Sequence, residues 1–295
     1  MENILKGAYD LHVHSGPDIM PRKFDDLELA ERIKNSGMNG YVMKSHYFNT
    51  AQRGYLVKKI VPDCDAIGAI ALNQSVGGIN SLAVEMAARS GAKLVWFPTT
   101  DSENEMSYVD FEDKNKKLAF WAKIVKELKD QQVNVPTINI LKNNELIPEA
   151  VEVLKTIAKY NMILATGHLS HDETFALVKK ANELGVKNII ITHVDFPTTF
   201  YSVEEQLELA SYGAYMEHCY VTWKSGKVDF SETVRQIRAL TPEKVILSTD
   251  SGQGSNPFPD ECLKEFSEKL MENGFTYDEI RTMIVDNPKK LLGVE

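Results

Sequence analysis

The chain has 295 residues, of which 43% are hydrophobic and 25% charged, and its formal net charge is −9. This composition is typical of a globular protein with an apolar core and excludes a disordered chain. Basic residues are interspersed with acids, so nucleic acid has little electrostatic support as a partner. No apolar run approaches the ~18 residues of a membrane span, and the N-terminus lacks the pattern of a secretory signal. We therefore expect a cytoplasmic protein that binds neither nucleic acid nor membranes.

Eight short apolar runs recur along the chain, each followed by a polar loop and a segment with helical periodicity. They predict strands over 8–13, 40–45, 66–72, 93–98, 162–167, 188–193, 214–218 and 245–250. In the helical segments, Ser170 with Glu173 and Ser202 with Glu205 have the spacing of a capping box. An open doubly wound sheet uses the same alternation, but no GxGxxG follows any of these strands. The pattern therefore favours an α/β fold of the (β/α)8 TIM-barrel type, in a single domain over residues 1–295.

The interval between the fourth and fifth predicted strands is more than twice as long as the others. It holds an amphipathic segment over 113–130, the stretch "VNVPTINIL", which could be a ninth strand, and a second helical segment over 144–160. Because a closed barrel of this type has eight strands, we predict that the interval is an insertion. C-terminal helices complete the chain, and in the last one we expect Asn287 to be the cap and Pro288 a first-turn residue.

Six of the seven histidines lie at or just beyond the ends of predicted strands. They are His12 and His14 after strand one, His46 after strand two, and His168, His193 and His218 after strands five, six and seven, while Asp250 ends strand eight. In a parallel barrel these strand ends share one rim, and residues i and i+2 of a strand point to the same side. Imidazoles and a carboxylate are ligands for divalent metals, although each histidine taken alone could be structural. Together they predict a metal site on that rim.

Four motifs, taken in chain order, resemble the amidohydrolase superfamily of metal-dependent hydrolases: "DLHVH", "ATGHLS", "ITHVD" and "STDSG". The ending "DNPKKLLGV" is also similar to the end of that superfamily's barrel, so the resemblance spans essentially the whole chain. It implies that one or two divalent ions are held by His12, His14, His168, His193 and Asp250. Zinc is the first choice of metal, with manganese, iron or nickel as alternatives. The resemblance also implies that Asp250 accepts a proton from a metal-activated water, with His193 as the second catalytic residue.

Lys44 is a departure from that resemblance. Members with two metals usually bridge them with a carboxylated lysine or a glutamate from strand four, but strand four here ends in "WFPTTDSEN". Lys44 ends strand two and is either a carbamylated bridge, a cation for an anionic substrate group, or the partner of an acid. Asp101 and Glu103 are weaker candidates for the bridge.

Several other polar residues at the rim are candidates for supporting roles. Substrate contact is predicted for Lys44, His46, Glu217 and His218, with structural or supporting roles left open for His46 and His218. Asp10 is a candidate hydrogen-bond partner for a ligand imidazole. For Arg22, Lys23 and Arg53 we expect solvent exposure, with contact to a substrate carboxylate or phosphate as the alternative.

The leading functional hypothesis is a metal-dependent hydrolase that cleaves the C–N bond of an amide or cyclic amide, or an ester or lactone, in a small molecule. On the same scaffold, a metal-dependent decarboxylase or isomerase and a phosphoesterase are alternatives. The related polymerase-and-histidinol-phosphatase family also begins with "DLHxH", but it ends with an Asp-x-His motif that "STDSG" lacks. A barrel that binds a metal or ligand without turnover is the non-enzyme alternative. Assembly into a homo-oligomer is left open.

Overall fold

Parallel strands build the centre of the molecule in the computed structural model, which describes residues 3–113 and 118–294. The strands are β1 (Tyr9–Val13), β2 (Gly40–Met43), β3 (Asp65–Ile67), β4 (Ala69–Ala71), β5 (Leu94–Trp96), β6 (Leu141–Lys142), β7 (Glu145–Leu146), β8 (Ile163–Ala165), β9 (Asn188–Ile191), β10 (Tyr215–Cys219) and β11 (Val245–Ser248). One sheet has the order β1-β2-β3 and a second has the order β4-β5-β8-β9-β10-β11. All neighbours in these two sheets are parallel.

The two sheets meet at two seams. Gly68 alone separates β3 from β4, and a Cβ at this position would lie 2.2 Å from the Cα of Ala51, so the close approach of the helix that precedes β3 requires glycine. At the other seam, the amide of Asp250 donates to the carbonyl of His12 and the amide of His14 donates to that of Ser251, each at 2.8 Å. Counting β3 and β4 as one strand, eight strands follow one another in chain order, and the predicted TIM barrel is confirmed.

Helices separate the strands and cover the outside of the barrel. They are α1 (Asp26–Ser36), α2 (Ala51–Ile60), α3 (Ser81–Arg89), α4 (Glu103–Ser107), α5 (Phe120–Asp130), α6 (Pro148–Lys159), α7 (His171–Glu183), α8 (Val203–Ser211), α9 (Tyr220–Lys224), α10 (Phe230–Leu240), α11 (Pro259–Glu272), α12 (Tyr277–Arg281) and α13 (Asn287–Leu292). The capping boxes predicted at Ser170 and Ser202 both form, at the starts of α7 and α8.

The C-terminal helix departs from the prediction in one detail. A π-helical turn over Thr282–Asp286 leads directly into α13, so the backbone at Asn287 is already helical. The Asn287 side chain donates instead to the carbonyls of Pro242 and Val245, at 2.8 and 2.7 Å. The expectation that Asn287 caps the helix was wrong, because its amide is used to tie α13 to the start of β11.

The long interval between β5 and β8 is an insertion, as predicted. It contains α4, α5, the antiparallel hairpin β6–β7 and α6, and neither hairpin strand belongs to a barrel sheet. Within the amphipathic segment predicted over 113–130, the helix occupies Phe120–Asp130, and residues 114–117 lie outside the described part of the chain.

The buried apolar residues form two layers. Strand residues such as Leu11, Trp96 and Ile190 fill the inside of the barrel, and a larger cluster lies between the strands and the helices around them. None of the helices in the described residues combines the length and hydropathy that crossing a bilayer would require.

Candidate metal centre

The end of β1 carries the first two histidines of the site. The register of β1 against β2 shifts between Asp10 and Val13, and such bulges re-aim side chains. Leu11 belongs to the cluster inside the barrel, and Val13 packs outward against the helices. His12, between these two residues, and His14, just after them, are both buried. At the barrel mouth, the open end of the barrel formed by the C-terminal ends of its strands, His14 lines the cavity, and the His12 ring lies 5.6 Å from that of His14 between centroids.

Asp250 lies at the centre of the histidines. Its Oδ1 is 3.2 Å from Nε2 of His12 and 3.1 Å from Nε2 of His14, and its Oδ2 is 3.9 Å from Nε2 of His193. His193 and Asp250 have φ values of 55° and 52°, in the left-handed region that residues other than glycine rarely adopt. Such conformations cost about 1–3 kcal/mol each and cluster at functional sites. The left-handed turns at these two strand ends bring His193 and Asp250 to the place where His12 and His14 also lie.

His168 completes the group from the end of β8. Gly167, just before it, has a φ of 67°, and a Cβ there would lie 2.3 Å from the carbonyl oxygen of Phe97. The His168 ring is 5.4 Å from that of His193, and its Nδ1 is 3.4 Å from Oε2 of Glu105. Within the described residues, neither ring nitrogen of His168 nor Nδ1 of His193 has a hydrogen-bond partner, although all three atoms are buried.

The five imidazoles at the mouth form a continuous series. Between ring centroids the distances are 4.8 Å for His46 and His14, 5.6 Å for His14 and His12, and 4.9 Å for His12 and His193, and His168 follows. Burial lowers the pKa of His14, His46 and His193 well below the ordinary value, so these rings are neutral near pH 7 and offer lone pairs.

Carboxylates set the protonation of the site. Nδ1 of His12 lies 3.2 Å from both carboxylate oxygens of Glu217, which favours a proton on Nδ1 and leaves the lone pair of Nε2 pointing to the mouth. Burial opposes the ionisation of Asp250, but the adjacent His12, His14 and His193 hold the pKa of its carboxyl well below the usual range. Asp250 is therefore an anion at the centre of the imidazoles.

Lys44 reaches the same point from β2. Its Nζ is 2.8 Å from Nε2 of His12 and 5.0 Å from the ring centroid of Trp96. Burial lowers the pKa of this amine. Among the described residues, no carboxylate oxygen lies within 4.0 Å of Nζ, so simple pairing with an acid does not account for the position of Lys44.

The remaining predicted contacts divide into two groups. His46 lines the cavity at the mouth, and its Nδ1 is 2.8 Å from Oγ1 of Thr99. Glu217 and His218 are not among the described residues that line this cavity, since Glu217 binds His12 and His218 binds Asp195 at 2.9 Å. These positions place the two residues behind the site and do not support contact with substrate.

Three further expectations need correction or adjustment. Asp10 does not bind an imidazole: it accepts hydrogen bonds from the amide of His12 and from Thr249, and burial raises its pKa to about 7. The Arg22 side chain is only 2% exposed, because its guanidinium binds Asp18 and lies 3.2 Å from Nδ1 of His14. Arg53 likewise pairs with a buried acid, Asp26, at 2.7 Å. The expectation of solvent exposure was therefore wrong for both arginines.

Glu105 is the functional candidate that the sequence analysis missed. The acidic candidates considered near strand four bind elsewhere, Asp101 to the amide of Gln74 and Glu103 to the side chain of Asn139. Glu105, two residues further along on α4, is buried and faces His168. A helical turn that begins after Ser102 brings it there, and an alternating strand pattern gives no signal for such a turn.

A cavity of about 350 Å³ opens above these groups, and we call it the mouth cavity. His14, Lys44, His46, His168, His193 and Asp250 form its floor. Phe120 and Trp121, at the start of α5, form part of its wall, so the insertion between the fourth and fifth barrel strands helps to enclose the site.

The residues present fit a divalent metal ion. One candidate group consists of His12, His14 and Asp250 and a second of His12, His193, Glu217 and Cys219, and in each the potential ligand atoms lie within 4.8 Å of one another. Nε2 of His168 and Nδ1 of His193 are buried without a hydrogen-bond partner in the described structure, and they add two further nitrogens that could bind a metal. Imidazole nitrogens and carboxylate oxygens suit zinc, manganese, iron or nickel.

Comparisons with known proteins agree with this fold. The model of a family of unknown function, DUF6282, matches residues 7–217. A sequence search of curated proteins found no match. Among solved structures, the chain is similar to an amidohydrolase from Pseudomonas aeruginosa (TM-score 0.63, 11% identity, covering 98% of this chain and 96% of that chain). It is also similar to a lactonase from Listeria monocytogenes (TM-score 0.59, 11% identity, 99% and 96%) and an organophosphorus hydrolase from Deinococcus radiodurans (TM-score 0.58, 12% identity, 99% and 94%).

Proposed function

We propose, for a chain that belongs to the DUF6282 family of unknown function, a metal-dependent hydrolase activity on a small molecule. The observation that carries this proposal is the position of Asp250, an anionic carboxylate within 3.2 Å of the buried imidazoles of His12 and His14 in the lining of a ligand-sized cavity. The fold shared with an amidohydrolase and a lactonase agrees with it.

Each part of the site has a separate task in this proposal. A divalent ion held by His12, His14, His168, His193 and Asp250 would lower the pKa of a water molecule and polarise the bond to be cleaved. Asp250, whose side chain is 16% exposed toward the cavity, accepts the proton, and Oδ2 is its freer oxygen. Glu217 orients His12, and the rings of Phe120 and Trp121 exclude bulk water. Zinc is our first choice of metal.

The scissile bond in this proposal is the C–N bond of an amide or cyclic amide, or the C–O bond of an ester or lactone. All of these present an electrophilic carbonyl carbon, and the imidazoles gathered around the Asp250 carboxylate suit attack on such a carbon by a metal-activated water.

We further propose that Lys44 is carbamylated. An ammonium that donates to Nε2 of His12 uses the lone pair that a metal needs, so an unmodified lysine in this position competes with the metal. A neutral amine can instead add to carbon dioxide and lose one proton, giving a carbamate anion with two ligand oxygens. The lowered pKa of the buried amine favours that reaction, since it raises the neutral fraction. The alternative is that Lys44 moves from His12 to bind an anionic substrate group.

The test compares the parent protein with Asp250→Asn on a panel of amides, cyclic imides, esters and lactones, with metal content measured by elemental analysis. Because the amide cannot accept the proton, we expect the rate to fall by about a hundredfold or more on every active substrate. Equal and negligible rates for both proteins across the panel, despite bound metal, would contradict an enzymatic role.

A decarboxylase or isomerase would use the same groups, and the fate of solvent oxygen separates these reactions from hydrolysis. We expect one solvent oxygen atom in the product when turnover is run in isotopically labelled water. Release of carbon dioxide without incorporation of label would replace hydrolysis with decarboxylation.

A further inference from the structure

A second cavity adjoins the mouth cavity and has a different character. It also measures about 350 Å³, and Thr100 and Trp121 line both spaces, so the two are neighbours that share a wall. Most of its lining is aliphatic and aromatic, and its polar residues are Gln74, Ser75, Thr100, Asp101 and Asn134. We call this space the α5 chamber and define it by Ile19, Tyr47, Trp121, Ile124, Leu128 and Val133.

Helix α5 forms one side of the chamber. Trp121, Ile124, Val125 and Leu128 lie three or four residues apart and therefore share one face of the helix, and all four line the chamber. Trp121, Ile124 and Leu128 are only partly buried, and the charged residues of α5 lie on its other faces. The apolar face of α5 thus borders an open space instead of a packed core.

The chamber is open to solvent, since Ile19 and Val133 in its lining are 49% and 46% exposed. Apolar surface that is gathered in one exposed cleft is typical of a site where a ligand binds. Volumes of about 300–1,000 Å³ with mostly apolar walls and a few polar groups are typical of ligand pockets. Here Tyr47 and Asp101 are among the residues that contribute polar groups to the lining.

We propose that the α5 chamber binds an alkyl or aromatic substituent of the substrate while the scissile carbonyl lies in the mouth cavity. This inference rests on the proposed hydrolase function for the identity of the second group, but the chamber itself can be tested without turnover. The substrate class is then an amide, ester or lactone with an extended apolar substituent on one side of the reacting bond. Trp121, at the shared wall, would contact both parts of such a molecule.

The experiment measures binding by calorimetry for two series of ligands on the metal-loaded protein. Alkyl hydroxamates from acetohydroxamate to octanohydroxamate carry a metal-binding head, and n-alkanols from butanol to octanol carry none. Burying one methylene raises affinity about fourfold, so an octanoyl chain with three methylenes in the chamber binds about 60-fold more tightly than the acetyl compound. We expect this dependence on chain length in both series.

Variants locate the effect. Leu128→Trp and Ile124→Trp each fill the chamber from α5, and we expect the ratio of long-chain to short-chain affinity to fall toward one. Leu82→Trp is the matched control, because Leu82 is 64% exposed on α3, outside both cavities. Circular dichroism checks that each variant folds, and either chamber variant is sufficient for the test.

Two results would overturn the inference: affinity that does not rise with chain length in either series, or a rise that both chamber variants leave intact. A different result addresses the proposed function alone. If hydroxamates bind no more tightly than alkanols of equal length, the metal site fails, whereas a length dependence that the α5 variants remove still supports the chamber.

Discussion

At the level of single residues, the number of metal ions depends on Lys44. Its amine is buried at the mouth, 2.8 Å from a predicted metal ligand, His12. As a carbamate it would supply a bridging anion from the second barrel strand; as an ammonium it would repel a nearby ion. The two states therefore differ in metal content as well as in charge.

We expect Lys44→Ala to bind one fewer metal ion per chain than the parent protein, because the carbamate oxygens that would hold a second ion are lost. Elemental analysis of both proteins after expression with added metal measures this difference. The matched control is Lys227→Ala, which removes another cation from the cavity wall. Two ions retained in Lys44→Ala would reject the bridge and favour the substrate-binding role.

Among the residues of the site, sequence reasoning found those whose positions follow from the strand period. His12, His14, His168, His193 and Asp250 end strands, and parallel strands end together, so their convergence could be foreseen. The hydrogen-bond and ion-pair partners of these residues could not be foreseen, because they depend on exact side-chain geometry that the strand period does not give. Glu105 arrives through a short helix after β5, and Asp10 binds backbone groups instead of the imidazole proposed for it.

At the level of elements, the turn after β8 illustrates how the ligands are held. Gly167 leads from the strand to His168 with a positive φ, and its Cα faces the backbone of Phe97 and Pro98. No side chain fits in this gap, so β5 and the loop after β8 can approach closely.

We expect Gly167→Ala to destabilise the metal-free protein by about 1–3 kcal/mol more than Gly185→Ala does, as measured by urea unfolding. Gly185 has a similar φ of 77° but open space around its Cα, so its substitution costs only the conformational term of about 1–2 kcal/mol. Equal losses in the two variants would show that the contact with Phe97 carries no energetic weight.

The eight barrel strands could be predicted because apolar runs repeat at the length of one βα unit, and the surplus length between β5 and β8 identified the insertion. The structure within that insertion could not be predicted in the same way. The hairpin β6–β7 has two residues in each strand, too few for a period to show, and α5 adopts its role at the mouth through tertiary contacts.

At the level of the whole molecule, a bound ion would stabilise the folded state because the unfolded chain does not hold the five ligands together. Free metal at a thousand times the dissociation constant adds about 4 kcal/mol to the free energy of unfolding. We expect removal of metal by a chelator to lower Tm by several degrees, and added zinc to restore it, in a thermal melt followed by circular dichroism. If complete removal of the bound metal leaves Tm unchanged, the predicted ligands do not form a site whose ion stabilises the folded protein.

The closure of the barrel joins residues near the two ends of the sequence. Hydrogen bonds from Asp250 to His12 and from His14 to Ser251 span about 240 positions, and these same residues are the core of the candidate site. Contacts this distant in sequence are costly in chain entropy and tend to form late during folding. A nascent or partly folded chain would therefore have no metal site, and the capacity to capture an ion would arise only when the last barrel strand docks against the first.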